Sequence, residues 1–159
     1  MAINLTGISN ENEFYTHHYL SAILENDLKE LFAKWSAQEE QSAADGMTRE
    51  FHIVGGLDMK AGLAYYEEMF RALKANFPHV HIKALTAVEI AHIARIEKLS
   101  WDAVLSALKA AGLDTMPGGG AETFSAAVRD RIAGKKLGGA DYIGVHRSAH
   151  RQGIRSNCT

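Results

Sequence analysis

Short apolar segments alternate with helical segments along most of this chain. The apolar segments end in glycine or in a helix cap, and the helical ones carry apolar side chains three and four residues apart. The pattern predicts strands at 51–54, 79–85, near 113–116 and from 154, and helices at 63–76, 87–96, 101–111, 125–132 and 140–152. This alternation is typical of parallel βαβ units. We expect an α/β fold with about four parallel strands, either half of an eight-stranded barrel or a small open sheet.

The third predicted strand runs into three consecutive glycines, Gly118, Gly119 and Gly120, with Glu122 close behind them. Glycine tolerates positive φ and lets the backbone approach a ligand, because no Cβ stands in the way. Strand carboxyl ends and helix amino ends converge at such loops, and α/β proteins bind ligands there. An ordinary connection between a strand and a helix explains the glycines equally well. The sequence therefore predicts either a ligand-binding loop that presents Glu122 or a simple turn.

Glycine or polar residues also follow the first two predicted strands. Gly55 and Gly56 come directly after residues 51–54, which are typical of a buried strand, and Thr86 and Glu89 follow the second strand. Because parallel strands end at the same edge of a sheet, these residues are expected near the glycine loop. Thr86 can cap the next helix, and Glu89 lies in its first turn, where the helix dipole favours a carboxylate. Glu89 is therefore either a capping residue or a ligand contact.

Composition excludes several classes of protein. The 159 residues carry a net charge of −2, which gives no basic field for nucleic acid or for an anionic membrane surface. Cys158 is the single cysteine, so the chain alone forms no disulfide and no cysteine-based metal cluster. His146 and His150 share a helix with Arg147 and Arg151, which favours a polar helix face over a metal site. With no signal peptide or membrane span in the sequence, we expect a cytoplasmic protein.

The first part of the chain differs from the rest. Residues 10–35 carry apolar side chains at helical spacing, and residues 36–45 are rich in Gln, Glu, Ser and Ala with almost no large apolar group. This change in composition predicts a boundary, with a helical segment and linker at 1–42 and the α/β domain at 43–159.

Four motifs carry a resemblance to a known family: EFHIVGGL at 50–57, HIKALTAVEI at 81–90, MPGGGAE at 116–122 and RSN at 155–157. In this order and at these separations they resemble successive strand ends of aminofutalosine synthases, the radical S-adenosylmethionine enzymes of the futalosine route to menaquinone. The resemblance covers residues 43–159, roughly three quarters of the chain.

The resemblance implies part of a TIM-type (β/α) barrel, the fold of radical S-adenosylmethionine enzymes. In that family a [4Fe-4S] cluster and S-adenosylmethionine generate a 5'-deoxyadenosyl radical, which adds to the enol ether of 3-[(1-carboxyvinyl)oxy]benzoate. By resemblance, Gly55 and Gly56 receive the methionine end of S-adenosylmethionine and Glu122 contacts its ribose. It also implies that Gly118, Gly119 and Glu89 contact the cofactor and that Arg129 contacts a carboxylate of the substrate. The resemblance assigns no catalytic residue and no metal ligand.

The sequence also departs from the family. Cluster ligation there uses a Cys-x3-Cys-x2-Cys loop, which this chain lacks. In its place, residues 12–20 weakly resemble the start of restriction-modification DNA methyltransferases, which would place the chain with a DNA-modification system. The simplest interpretation is a partial or rearranged reading frame that yields an inactive fragment.

Two further alternatives stay open. The related dehypoxanthine futalosine cyclase shares the fold, although the triple glycine favours the synthase. A non-catalytic binding or assembly module is the other, because an open parallel sheet has edges through which chains can self-associate.

Overall fold

The computed structural model describes residues 49–134 and 136–159. In this part of the chain the elements are, in order, β1 (Glu50–Ile53), α1 (Leu63–Asn76), β2 (His81–Ala84), α2 (Ala87–Glu97), α3 (Trp101–Ala111), β3 (Thr115–Met116), α4 (Ala126–Ala133), α5 (Gly139–Arg151) and β4 (Arg155–Ser156). The strands form one sheet in the order β1-β2-β3-β4, and every neighbouring pair is parallel. The predicted α/β class and the four parallel strands are confirmed, and the open sheet is compatible with a partial TIM-type barrel.

Local capping signals explain where the helices begin and end. The side chain of Ser100 accepts a hydrogen bond from the amide of Ala103 at 3.2 Å, which starts α3. Gly112 ends the same helix with a φ of 121°, a conformation that favours glycine. The predicted bounds of α1 and α3 are therefore confirmed to the residue.

β2 is shorter than the predicted strand at 79–85. Before it, the amide of Val80 donates to the carbonyl of Phe77 at 3.1 Å and closes a turn. After it, Leu85 has a φ of 59°, in the left-handed region that residues with a side chain rarely adopt. The turn at Leu85 redirects the chain, so that Thr86 can start α2.

One face of the sheet packs against the helices. Phe51, Ile82 and Met116 lie on this face and are almost fully buried, and the ring of Phe51 meets the ring of Phe77 edge-on with 5.3 Å between centroids. Burying one side chain of this size contributes about 2 kcal/mol to the free energy of unfolding. The helices complete this core with Phe70, Leu73, Ile90, Ile93, Leu105, Leu108, Tyr142 and Val145.

The opposite face of the sheet is polar. Side chains alternate between the two faces of a strand, so the neighbours of the buried residues lie on the other side. We call the following set the polar face: Glu50, His52, His81, Lys83, Thr115 and Arg155. His81 Nε2 lies 2.7 Å from Thr115 Oγ1 and 4.0 Å from Glu50 Oε2, which joins three strands on this face. The strand predicted to be buried at 51–54 is therefore buried on one side.

The expected helix at 10–35, the composition change at 36–45 and the weak methyltransferase resemblance at 12–20 lie outside the described residues. Among the helices that the structure describes, none is long and apolar enough to cross a bilayer.

Candidate functional site

The residues that follow the four strands contact one another along the carboxyl edge of the sheet. The amide of Gly55, after β1, donates to a carboxylate oxygen of Glu89 on α2 at 2.8 Å. A Cβ placed on Gly119, after β3, would lie 3.4 Å from the methyl group of Thr86, after β2. A Cβ on Gly118 would lie 2.4 Å from the carbonyl oxygen of Asn157, after β4. The structure thus brings together the three segments that residue patterns placed at this edge and Asn157 of the RSN motif.

Glu89 is buried and links two of these segments through hydrogen bonds. Its Oε2 accepts hydrogen bonds from the amide and the hydroxyl of Thr86, both at 2.7 Å, and its Oε1 accepts from the amide of Gly55 at 2.8 Å. The hydroxyl of Thr86 in turn accepts from the amide of Glu89, which completes a capping box. Burial raises the pKa of Glu89, and the hydrogen bonds from Thr86 and Gly55 oppose that rise. Both carboxylate oxygens are therefore engaged by the protein.

The glycine loop packs closely against other parts of the protein, because its glycines have no side chains. Besides the contact of Gly118 with Asn157, a Cβ on Gly120 would lie 2.6 Å from a methyl group of Val88, and Gly120 has a φ of 97°. The carbonyl of Gly118 accepts hydrogen bonds from the amide of Thr159 at 3.0 Å and from the hydroxyl of Tyr142 at 2.6 Å. The glycines therefore let the loop backbone approach other residues of this chain closely, whereas the sequence predicted a close approach to a ligand.

Glu122 is the exposed carboxylate of the loop. It has a φ of 54°, so the backbone turns out of the usual region at the residue that carries the acid. Its Oε1 lies 2.5 Å from Nζ of Lys136. The hydrogen bond and charge of Lys136 hold the pKa of Glu122 below its ordinary value, with a smaller effect from the charge of Arg129. Glu122 is therefore ionised at neutral pH and can accept hydrogen bonds from hydroxyl groups.

Arg129 on α4 clamps the loop from behind. Its guanidinium donates five hydrogen bonds to four backbone carbonyls, and the side chain is buried with 5% of its surface exposed. The partners are the carbonyls of Gly120 (3.3 Å), Ala121, Thr123 (2.9 Å) and Leu137 (3.1 Å from Nε). An arginine offers five N–H donors, and this arrangement uses every nitrogen of the group. The structure thus turns Arg129 inward to the loop backbone.

Two aromatic residues on α5 support the same loop: Tyr142, which no sequence pattern indicated, and His146, which was expected on a polar helix face. Tyr142 is fully buried, and burial, with Cys158 nearby, raises its pKa to about 12. The ring of His146 lies 4.5 Å from that of Tyr142. His146 is 7% exposed and its Nδ1 lies 2.7 Å from Oγ of Ser156, while His150 Nε2 lies 2.8 Å from the same oxygen. The expectation of a polar helix face is therefore wrong for His146, which packs inward.

The donor atoms of this chain do not fit a [4Fe-4S] cluster. Such clusters are held by several cysteine thiolates, whereas the sequence contains Cys158 alone, and that residue is exposed and free. Within residues 49–134 and 136–159, no group of three or more His, Cys, Asp or Glu side chains could hold a metal ion. The carboxyl edge does offer groups suited to a nucleoside cofactor: an ionised acid at Glu122 after β3, and the small residues Gly55 and Gly56 after β1.

No family model matches the chain. The chain is 49% identical over 114 residues to a protein from Thermus thermophilus named aminodeoxyfutalosine synthase. The aligned segment covers 72% of this chain and 30% of the relative. The resemblance to aminofutalosine synthases is confirmed. A synthase of the same name from Streptomyces coelicolor is 41% identical over 110 residues, 69% of this chain and 28% of its own length.

A second kind of relative shares the same region. A Methanosarcina barkeri protein named 5-amino-6-(D-ribitylamino)uracil--L-tyrosine 4-hydroxyphenyl transferase 1 is 38% identical over 134 residues, 84% of this chain and 36% of the relative. The chain therefore spans 28 to 36% of the length of these curated relatives.

Proposed function

We propose that this chain supplies the part of an aminofutalosine synthase-like protein of menaquinone biosynthesis that binds S-adenosylmethionine. The observation that carries the proposal is the assembled carboxyl edge, where the glycine loop after β3 carries an ionised and exposed Glu122 and contacts Thr86, while Glu89 of the same capping box binds the exit of β1. The relatives named aminodeoxyfutalosine synthase support it, because their identity to this chain is higher than that of the transferase from Methanosarcina barkeri.

The proposed roles follow from the family resemblance, and the carboxylate of Glu122 would exchange its contact with Lys136 for a ligand. Gly55 and Gly56 line the place for the methionine end. Gly118 and Gly119 shape the loop that presents Glu122 to the nucleoside, with Gly118 itself buried against Asn157. The carboxylate of Glu122 accepts hydrogen bonds from the ribose hydroxyls, as two neighbouring hydroxyls suit the two oxygens of an acid. S-adenosylmethionine bound here would supply radical chemistry to an enol-ether substrate such as 3-[(1-carboxyvinyl)oxy]benzoate only together with a [4Fe-4S] cluster, which the residues of this chain do not fit.

Glu89 and Arg129 have positioning roles in this proposal. All oxygens of Glu89 and all nitrogens of Arg129 are engaged by this chain's own backbone and side chains. A group whose hydrogen bonds are used in this way would have to lose them before it could bind a ligand. We propose that Glu89 fixes the glycine exit of β1 and that Arg129 fixes the loop that carries Glu122.

The chain on its own is proposed to be inactive, because its residues cannot ligate the cluster. Anaerobic reconstitution with iron and sulfide is expected to leave the protein without the broad visible absorption of an iron–sulfur cluster. A stoichiometric cluster that survives gel filtration would contradict this part of the proposal.

Calorimetric titration of S-adenosylmethionine into the full chain tests the binding role. We expect binding that weakens about tenfold or more in Glu122→Gln, since charge-assisted hydrogen bonds contribute about 1.5–3 kcal/mol. The matched control is Glu68→Gln, an exposed acid on α1, which should bind as the wild type does. Absence of heat from folded wild-type chain, or equal binding by Glu122→Gln, would remove the proposal.

A second candidate function is an assembly module. Among the described residues, β4 pairs with β3 alone, so its outer edge is able to accept another strand. Gel filtration with light scattering distinguishes the two: concentration-dependent self-association favours assembly, and a monomer at all concentrations excludes it.

A further inference from the structure

Four side chains of the polar face form a single row across the sheet. The strand register aligns His52 with Lys83, Lys83 with Thr115, and Thr115 with Arg155. Neighbouring strands lie about 4.8 Å apart, so the backbones of Lys83 and Arg155 are separated by about 10 Å with Thr115 between them. Both cations have long flexible side chains, which can converge on groups placed a few ångströms apart above the sheet.

The two cations of this row are free within the part of the chain that the structure describes. Neither Lys83 nor Arg155 has a hydrogen bond or an ion pair there, whereas Lys74, Lys136 and Arg151 each pair with a carboxylate at 2.5 to 3.0 Å. Lys83 is also partly buried. A charge held near a sheet without a counter-ion repels its like-charged neighbours and gains most from an anionic ligand.

His52, at the end of the row, adds an independent sign of a missing ligand. Its Nε2 is buried and lacks a hydrogen-bond partner among the described residues. A buried polar atom without a partner costs about 1–3 kcal/mol. Glu50 on this face and the nearby Asp114 each lie 4.0 Å from the ring of His81, which precedes the row on β2. The row is therefore cationic or neutral, with an unsatisfied ring nitrogen at one end.

We propose that this row is the substrate-binding surface and that it takes a small dicarboxylate, with one carboxylate at Lys83 and one at Arg155. Two cations separated by one strand match two anionic groups, and the hydroxyl of Thr115 lies between them. The inference rests on the proposed function, since it assigns the substrate side of the same sheet. It moves the carboxylate contact from Arg129, whose guanidinium is occupied by four carbonyls, to the two cations that are free.

Calorimetric titration of benzene-1,3-dicarboxylate into the full chain tests the row. We expect binding that weakens at least tenfold in Lys83→Met and in Arg155→Met, while Lys83→Arg retains it. The control is Arg147→Met, an exposed cation on α5 that makes the same change in net charge; it should bind within twofold of the wild type. The uncharged benzene-1,3-dicarboxamide should not bind.

No binding of the dicarboxylate to folded wild-type chain, equal binding by both methionine variants, or equal binding of the diamide would overturn the inference. Nitrogen NMR of the histidine rings in the wild type provides a second readout that needs no variant. The signal of His52 Nε2 should move on addition of the dicarboxylate, and an unchanged signal counts against the row. Titration of S-adenosylmethionine into the wild-type chain separates the two proposals. A wild type that binds the dicarboxylate but not S-adenosylmethionine refutes the proposed function alone, and one that binds S-adenosylmethionine but not the dicarboxylate refutes this inference alone.

Discussion

Replacing Arg129 by methionine removes the clamp behind the glycine loop while keeping the apolar part of the side chain. The guanidinium makes five hydrogen bonds to four carbonyls, and bonds to a charged group contribute about 1.5–3 kcal/mol each before compensation. Water that enters the space restores part of this, and the cost of burying the charge disappears. We therefore expect a loss of about 4 kcal/mol in the free energy of unfolding, as for removal of one partner from a buried charged network.

Urea denaturation followed by circular dichroism measures this loss directly. A change of about 4 kcal/mol should lower the melting temperature by roughly 15 °C in a domain of this size. The control is Arg131→Met on the same helix, because Arg131 is exposed and its replacement should cost less than about 0.5 kcal/mol. If Arg129→Met is as stable as the wild type, the guanidinium is not bonded to the loop, and the earlier expectation of a free cation for a substrate carboxylate regains its basis.

Three further predictions concern the same edge of the sheet. Gly118→Ala should destabilise the protein by about 3 kcal/mol in urea melts because the new Cβ meets backbone at 2.4 Å, while Gly119→Ala, with 3.4 Å to a methyl group, should cost less than about 1 kcal/mol; equal costs would contradict the packing. Burial raises the pKa of Glu89, so above the ordinary value of 4.5 the folded protein holds a proton on this residue that the unfolded chain has lost. The free energy of unfolding of the wild type, relative to that of Glu89→Gln, should therefore fall as the pH rises from 4.5 in a series of urea melts. A relative stability that is flat or rises with pH would refute this. Lys136→Met should raise the pKa of Glu122 toward its ordinary value in a carbon NMR titration, and an unmoved titration would mean that the pair does not form in solution.

Local chemistry made the helices and the order of the strands predictable. Thr86, Ser100 and Gly112 act through residues three or four positions away, so their effects are readable from the sequence. The alternation of strands and helices predicted the parallel sheet for the same reason: every crossover is visible as a helix between two apolar segments.

The composition of the site depended on contacts between distant residues. Nothing near Gly118 indicates that its missing side chain accommodates the backbone of Asn157, and nothing near Arg129 indicates which carbonyls it meets. The row on the polar face had a weak signal, since polar residues alternate with apolar ones at His52 and Lys83. The strands are too short for this alternation to be recognised with ease. The alignment of the row across the sheet depends on the strand register, which the sequence does not reveal.

The floor of the glycine loop is built by residues that come after the fourth strand. The amide of Thr159 donates to the carbonyl of Gly118, and the backbone at Asn157 fills the space beside it. The loop consequently gains these contacts only when the residues after β4 have folded back onto it. Ordering of this ligand-facing segment should thus be a late event in folding, governed by contacts of long sequence separation, and in a chain emerging from the ribosome the segment would stay unformed until its distant support is synthesised.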